Sequence, residues 1–352
     1  MDKAALLNWV SGRGDLPIVR DADCHSQDYK AIELRGGQFH NVDFTQTDFT
    51  NAFFKDCQFI ECRFSEASMT SSTMVECNFV KCELSRIKWA DASATLCSFV
   101  ECDFNGAQVT GLVADNMNLV NSTLDQSEWK SSQFSQCTWI DTSMVSLDFS
   151  QSQFQRPNFI NVNLTGWVLE GAVLDTPFIR EAALDQYDFR KVTLLRPQFQ
   201  DVSLEGVVFS GLDLSQAGFS GARMARCDFS EAQLNNALFI GSELMGSQFV
   251  KVVAEQAMFI EADLTLCYFK KAKLTQVQFT QSNCQEAVFD HSDLTYADFS
   301  HAKLVGAAIL DCELYRTNLH EIIEEKTLWT GSNRKQALET DPERAEAEQG
   351  KP

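Results

Sequence analysis

Ala287-Val288-Phe289-Asp290-His291, Ser292-Asp293-Leu294-Thr295-Tyr296 and Ala297-Asp298-Phe299-Ser300-His301 are three consecutive five-residue segments of one kind. Each opens on a small residue, places a large apolar residue third, and closes on two residues that suit a turn. In an extended segment, residues two apart share a face. The small first residue and the apolar third therefore point together to one side. A helix needs apolar residues at a spacing near 3.6, which five does not match.

Working outward, the phase holds. The apolar centres carry numbers ending in 4 or 9, and from Leu34 to Leu319 these 58 positions hold 25 Phe, 19 Leu, 4 Met, 3 Trp, 3 Ala, 2 Ile, 1 Val and 1 Cys. None is charged. Of the 27 Phe in the chain, only Phe53 and Phe178 lie elsewhere. Longer spacings set the size of a coil. Pro157, Pro177 and Pro197 are 20 apart, as are Cys57, Cys77 and Cys97, and Cys62, Cys82 and Cys102. Four units per turn stack each series in a column, whereas two units are too tight to enclose side chains. A self-similar period of this kind outranks other sequence signals.

Segments such as Ala217-Gly-Phe-Ser-Gly, Cys227-Asp-Phe-Ser-Glu, Ala262-Asp-Leu-Thr-Leu and Ala297-Asp-Phe-Ser-His resemble the A(D/N)LXX units of the pentapeptide-repeat family. The resemblance implies an all-β fold, a right-handed quadrilateral parallel β-helix of about 14 coils. The expected organisation is an N-terminal capping segment with a short helix over 1–21, the β-helix over 22–319, a C-terminal cap over 320–330 with a capping helix from His320 to Leu328, and a charged, flexible tail over 331–352. Asp2 is placed to cap the first helix. Glu324 stands at a centre position and breaks the apolar pattern, so the coil is expected to end before it.

The composition narrows the function classes. The 352 residues carry a formal charge of −20, with a sequence pI near 4.6. Phosphate backbones and anionic membranes are repelled by such a chain, so neither direct nucleic-acid nor membrane binding is expected. No apolar run is long enough to span a bilayer, and Met1–Val10 lacks the pattern of a secretory signal. Ten of the 12 cysteines fall at the small inward position, which predicts buried free thiols in a reducing cytoplasm rather than disulfides or zinc. The five histidines are expected at exposed positions or in the caps. No nucleophile elbow, phosphate-cradling loop or zinc motif is present, so no catalytic residue, cofactor or metal site is predicted, and the chain reads as a non-enzyme.

Two features are candidate contact sites. One column of corner positions holds Glu61, Glu101, Asp141, Glu181, Asp201 and Glu261, an acidic stripe suited to a basic partner. An irregular zone places Pro157, Trp167, Pro177, Tyr187 and Pro197 at the small inward position, which predicts a widened or kinked coil or a binding face. The expected function is an interaction scaffold or adaptor that presents an acidic surface to a protein partner, with a homodimer joined through a terminal cap as one form it can take. The resemblance suggests two sharper versions. One is a DNA mimic that binds DNA gyrase or topoisomerase IV, as the quinolone-resistance members do. The other is an accessory component of a bacterial type VI secretion system.

Overall fold

A computed structural model describes residues 1–11 and 17–350; of residues 9–11 it describes the backbone alone. The chain is a parallel β-solenoid of about 15 turns. It divides into two compact units, Met1–Phe178 with Lys191–Thr193, and Ile179–Arg190 with Leu194–Pro352.

What makes the chain turn is the fifth residue. From Asp21 to Gly331, the corner residue of every unit except Lys191 has a left-handed φ, between 48° and 78°. Only 12 of these corners are glycine. A non-glycine residue there costs about 1–2 kcal/mol, so the corners are held against local preference by what they bring together. They bring together the lumen. All 58 centres from Leu34 to Leu319 are buried, none more than 4% exposed.

In the first unit, α1 (Lys3–Ser11) packs against the start of the solenoid, with the Ala5 amide donating to the Asp2 carboxylate at 2.8 Å and Leu6 buried. The ladder opens earlier than expected, at β1 (Ile18–Arg20), which pairs in parallel with the end of β2 (Glu33–His40). β2 pairs with β3 (Phe53–Ile60) at a register of 20, Leu34 to Phe54 and Phe39 to Phe59. The expected capping segment thus shares residues 18–21 with the solenoid, and residues 12–16 lie outside those described. Two faces of this unit are runs of three-residue strands, one ending at 158–160 and the other at 173–175. The remaining faces are held mostly by single bridges such as Asp43 to Arg63.

In the second unit the phenylalanines form two columns on opposite sides of the lumen. Phe229, Phe249 and Phe269 stack at 5.0 and 4.6 Å between ring centroids, with interplanar angles of 6° and 7°. Phe239 and Phe259 stack at 4.6 Å and 2°. Across the lumen the rings meet edge to face, Phe249 on Phe259 at 5.6 Å and 87°. Both arrangements are favoured by the aromatic quadrupole.

The small inward position serves a second purpose. Its hydroxyls and thiols donate to the carbonyl of a centre 23 residues back: Thr47 to Cys24 at 2.8 Å, Cys62 to Phe39 at 3.3 Å, Ser247 to Met224 at 2.9 Å, Thr317 to Leu294 at 2.8 Å. All 12 cysteines are free and buried, and burial pushes the Cys137 thiol up to about 12. Such thiols behave as small hydrophobes with a weak donor.

The irregular zone differs from expectation. Pro157, Pro177 and Pro197 are buried in the regular lattice, and Trp167 is buried as well. In many units the inward residue donates a turn bond, as Ala107 does to Phe104 at 2.9 Å; Cys77, Cys97 and Cys137, which precede the prolines in their column, make no such bond. Proline therefore removes nothing there. Its carbonyl still serves the ladder, accepting from Phe178 at Pro157 and from Gly218 at Pro197. The interruption lies instead at Phe189–Lys191, a 3-10 turn that replaces one left-handed corner. Tyr187, beside it, is half-buried.

The C-terminal boundary also moves. The ladder does not close with a helix at 320–330 but continues through Lys303 to Ile323, Ala308 to Leu328 and Asn318 to Leu338. The centre register persists while its content turns polar: Glu324, Trp329, Arg334, Glu339. The Arg334 guanidinium lies 4.6 Å over the Trp329 ring and donates to Glu324 at 2.9 Å and Glu339 at 2.9 and 3.0 Å. The Trp329 indole donates to Glu324 at 3.0 Å. A last turn that can be wetted is what a solenoid end requires. Beyond it, α2 (Pro342–Gln349) is capped by the Asp341 side chain. The segment expected to be a flexible tail therefore carries a bridge and a helix up to residue 350, with 351–352 outside the described residues.

Two substitutions separate the corner from the lumen. At Gly211, φ is +74° and an added Cβ meets nothing within 4 Å, so Gly211→Ala should cost about 1 kcal/mol from backbone strain alone. Phe249→Ala, which opens a gap in a stacked column, should cost about 3–5 kcal/mol. Denaturant unfolding monitored by circular dichroism measures both; equal losses would contradict the division of roles.

Candidate functional site

The second residue of the repeat is where much of the acid sits, and its carboxylate usually faces its own turn. The Asp43 carboxylate accepts from the Thr45 amide at 2.9 Å, Asp148 from Ser150 at 2.9 Å, Asp228 from Ser230 at 2.9 Å and Asp298 from Ser300 at 2.8 Å. These are Asx turns. Part of the negative charge is thus turn chemistry, engaged before any partner arrives.

The predicted stripe is a real column, though not the field expected of it. Glu61, Glu101 and Asp141 in the first unit, and Glu181, Asp201 and Glu261 in the second, are all exposed at left-handed corners, φ 51–58°. Within the first unit its acids recur every second turn. At ~4.8 Å per turn they stand about 10 Å apart, beyond the ~8 Å screening length. The turns between them soften the charge further. Lys81 lies 3.9 Å from Glu101, and Asn161 donates to Asp141 at 2.6 Å. In the second unit Arg180 is paired with Glu181 at 2.7 Å, and Gly221 and Gly241 interrupt the column. The sequence places the acids in one line; in the first unit their spacing along it removes the expected summed potential, and only Glu181 and Asp201 stand on consecutive turns. The residues of the irregular zone, apart from Tyr187, are inside the coil and form no face.

A surface that the stripe borders went unremarked in the sequence. In the first unit, the face built of strands 38–40, 58–60, 78–80, 98–100, 118–120, 138–140 and 158–160 carries no formal charge on its outward residues. One column runs Gln38, Gln58, Asn78, Ser98, Asn118, Thr138, Asn158. The other runs His40, Ile60, Val80, Val100, Val120, Ile140, Ile160, all partly exposed. The signal that finds it is a 20-residue spacing read at the outward positions rather than the inward ones. On the adjoining face lies a shallow groove of about 520 Å³, lined in part by Val113, Gln133, Gln153 and Val173.

Comparison with known proteins matches this lattice. The signature described as pentapeptide repeat region covers residues 32–109, and that of pentapeptide repeats (8 copies) covers 198–230, 227–265, 247–283, 272–308 and 282–321. Together they span more than half of the chain. The chain is a member of the pentapeptide-repeat family. Among solved structures, this family member is similar to QnrB1, a plasmid-mediated fluoroquinolone resistance protein, at 18% identity over 52% of this chain and 89% of that one, TM-score 0.33. It is similar to a pentapeptide repeat protein of the Arabidopsis thaliana thylakoid lumen, at 30% identity over 28% and 68%, TM-score 0.28. HetL of Nostoc sp. strain PCC 7120, involved in heterocyst differentiation regulation, matches at 14% identity over 97% and 98%, TM-score 0.27. No curated protein matches. Among the described residues, no helix is long and apolar enough to cross a membrane.

The engaged carboxylates give a pH signature. Burial pushes the Asp43 carboxyl up, but the Thr45 hydrogen bonds and the Arg63 guanidinium at 2.9 Å outweigh it and hold its pKa at about 2. A depressed folded-state pKa contributes stability above the unfolded value near 3.9 and loses it as pH falls toward 2. Asp43→Asn should therefore be less stable than the parent at pH 7, with the gap closing below pH 3. A gap unchanged between pH 7 and pH 2 in denaturant melts would contradict this.

Proposed function

We propose that this pentapeptide-repeat protein is a non-catalytic docking module that seats its uncharged face against a protein partner, with Glu61, Glu101 and Asp141 at the border of the contact. The single observation that carries the reading is the seven-turn neutral strip from Gln38 to Ile160 in a chain of charge −20. At ~4.8 Å per turn the strip is about 30 Å long, and burying it costs no charge desolvation. Carboxylates at the rim suit a partner with basic groups around an uncharged centre, since rim charges steer association more than they add affinity. The lumen supports the non-enzymatic reading, being filled by stacked rings. Buried free thiols fit a reducing compartment such as the cytoplasm.

The DNA-mimic version draws on the QnrB1 relative and is the weaker one. Duplex DNA presents one charge per ~1.7 Å of axis, whereas the stripe presents one carboxylate per about 10 Å in the first unit and at best one per ~4.8 Å, between Glu181 and Asp201, in the second. Association through a terminal cap is likewise not favoured, because the last turn is closed by the charged Glu324–Arg334–Glu339 set. An adaptor in a secretion apparatus remains compatible with a long neutral face, and no residue singles it out.

Affinity capture with the full chain and with a Val100→Asp, Val120→Asp variant tests the reading. A partner retained by the parent and lost by the variant, at unchanged thermal stability, is the expected outcome. Partner binding that survives the variant but is abolished by Glu61→Lys, Glu101→Lys, Asp141→Lys would transfer the contact to the corner. Inhibition of gyrase supercoiling by micromolar protein would favour the DNA-mimic version instead.

A further inference from the structure

His320 stands at an outward position of the lattice, yet it is only 1% exposed. His320 falls in the expected C-terminal cap, and its burial comes from α2, whose Glu348 and Asp341 contact its ring. Ser300, one turn away in the same column, is buried as well. Glu348, in the last turn of α2, reaches between two imidazoles. Its Oε2 lies 3.1 Å from His320 Nε2 and 3.0 Å from His301 Nε2. The two rings are perpendicular, with centroids 5.4 Å apart. All three ligand-type atoms fall within 4.8 Å of one another.

The geometry points to a divalent transition-metal site formed by His301 Nε2, His320 Nε2 and the Glu348 carboxylate, which fixes α2 on the side of the solenoid. Two imidazoles and one carboxylate suit zinc and its neighbours in the first transition row, not calcium or magnesium, which require mostly oxygen ligands. A Glu348 oxygen about 3 Å from each imidazole nitrogen suits a shared ion with bonds near 2.0–2.1 Å. The Glu348 carboxylate is oriented from behind, Arg344 Nε donating to its other oxygen at 2.7 Å, as ligating carboxylates generally are. His301 and Glu348 are each about one-third exposed, so an ion can enter from solvent and a water can complete a tetrahedron.

The protons decide how the ion is coupled to the helix. Without metal, His320 Nδ1 accepts the Asp341 amide at 3.2 Å, which places the ring proton on Nε2, donating to Glu348. Ligation through Nε2 moves that proton to Nδ1 and opens the Asp341 bond. One long neutral hydrogen bond is small against three metal–ligand bonds. Asp341 is the N-cap of α2, so metal binding should loosen the first turn of the helix while tightening its last.

Titration of the full chain with ZnCl2 by calorimetry, and with Co2+ by visible absorption, tests the site. One ion per chain with tetrahedral cobalt bands is expected. Glu348→Gln and His301→Asn should each weaken binding at least ~100-fold, and Arg344→Ala ~10-fold. His291→Ala, at the separate exposed group with Asp290 and Asp311, should leave it unchanged. Hydrogen exchange should show slower exchange over 345–349 and faster exchange at Asp341 on zinc addition. A silent titration at millimolar zinc overturns the proposal and leaves the trio a hydrogen-bonded latch. So does binding retained in the His301→Asn, Glu348→Gln double variant.

Discussion

The left-handed corner at every fifth residue is the constraint on which the rest of this structure depends. Without it an extended chain keeps going; with it the chain changes direction after each short face and returns over itself 20 residues later. Fifty of these corners are not glycine, so the sequence does not choose the conformation locally. It is imposed by what lies inside: pairs of inward side chains that are buried only when the chain turns. Corner strain and lumen burial are therefore linked, and neither is stable alone. Each turn depends on its neighbours.

Stacking at a fixed period has a chemical consequence. Whatever occupies one position meets the residues of the next turn: rings on rings in the lumen, thiols and hydroxyls on carbonyls at the small inward position, carboxylates on side-chain amides at corners such as Asp141 and Asn161. Stacking and local turn chemistry together explain why acid content is a poor guide to binding here. Asp43, Asp148, Asp228 and Asp298 face turn amides, and Asp141 holds Asn161. The uncharged strip is the converse case, a surface defined by what the lattice leaves out.

The lumen was fully legible, because a period of five in large apolar residues has few physical readings and each of the 58 centres is buried. At 155–200 the cost of proline depends on whether the missing N–H would have a partner, and in the turns just before them in that column, at Cys77, Cys97 and Cys137, it has no turn bond to lose. The stripe misled in another way. Its column was readable, but charge repulsion depends on distance, and Glu61, Glu101 and Asp141 fall on alternate turns. His320 could not be placed from the repeat at all. Its burial is caused by a helix more than 20 residues further on, outside the repeating pattern. Likewise, Glu324 looked like the end of the coil, whereas the register continues with a polar filling.

The central claim is that residues 20 apart stack and residues 10 apart lie on opposite sides. Spin labels test it directly, since the native thiols are buried and only introduced cysteines react. Labels at Gln256→Cys and Gln276→Cys, whose side chains now touch at 2.7 Å, should give strongly broadened electron paramagnetic resonance spectra. Labels at Gln256→Cys and Leu266→Cys should give narrow ones. Broadening in the second pair and not the first would contradict the solenoid.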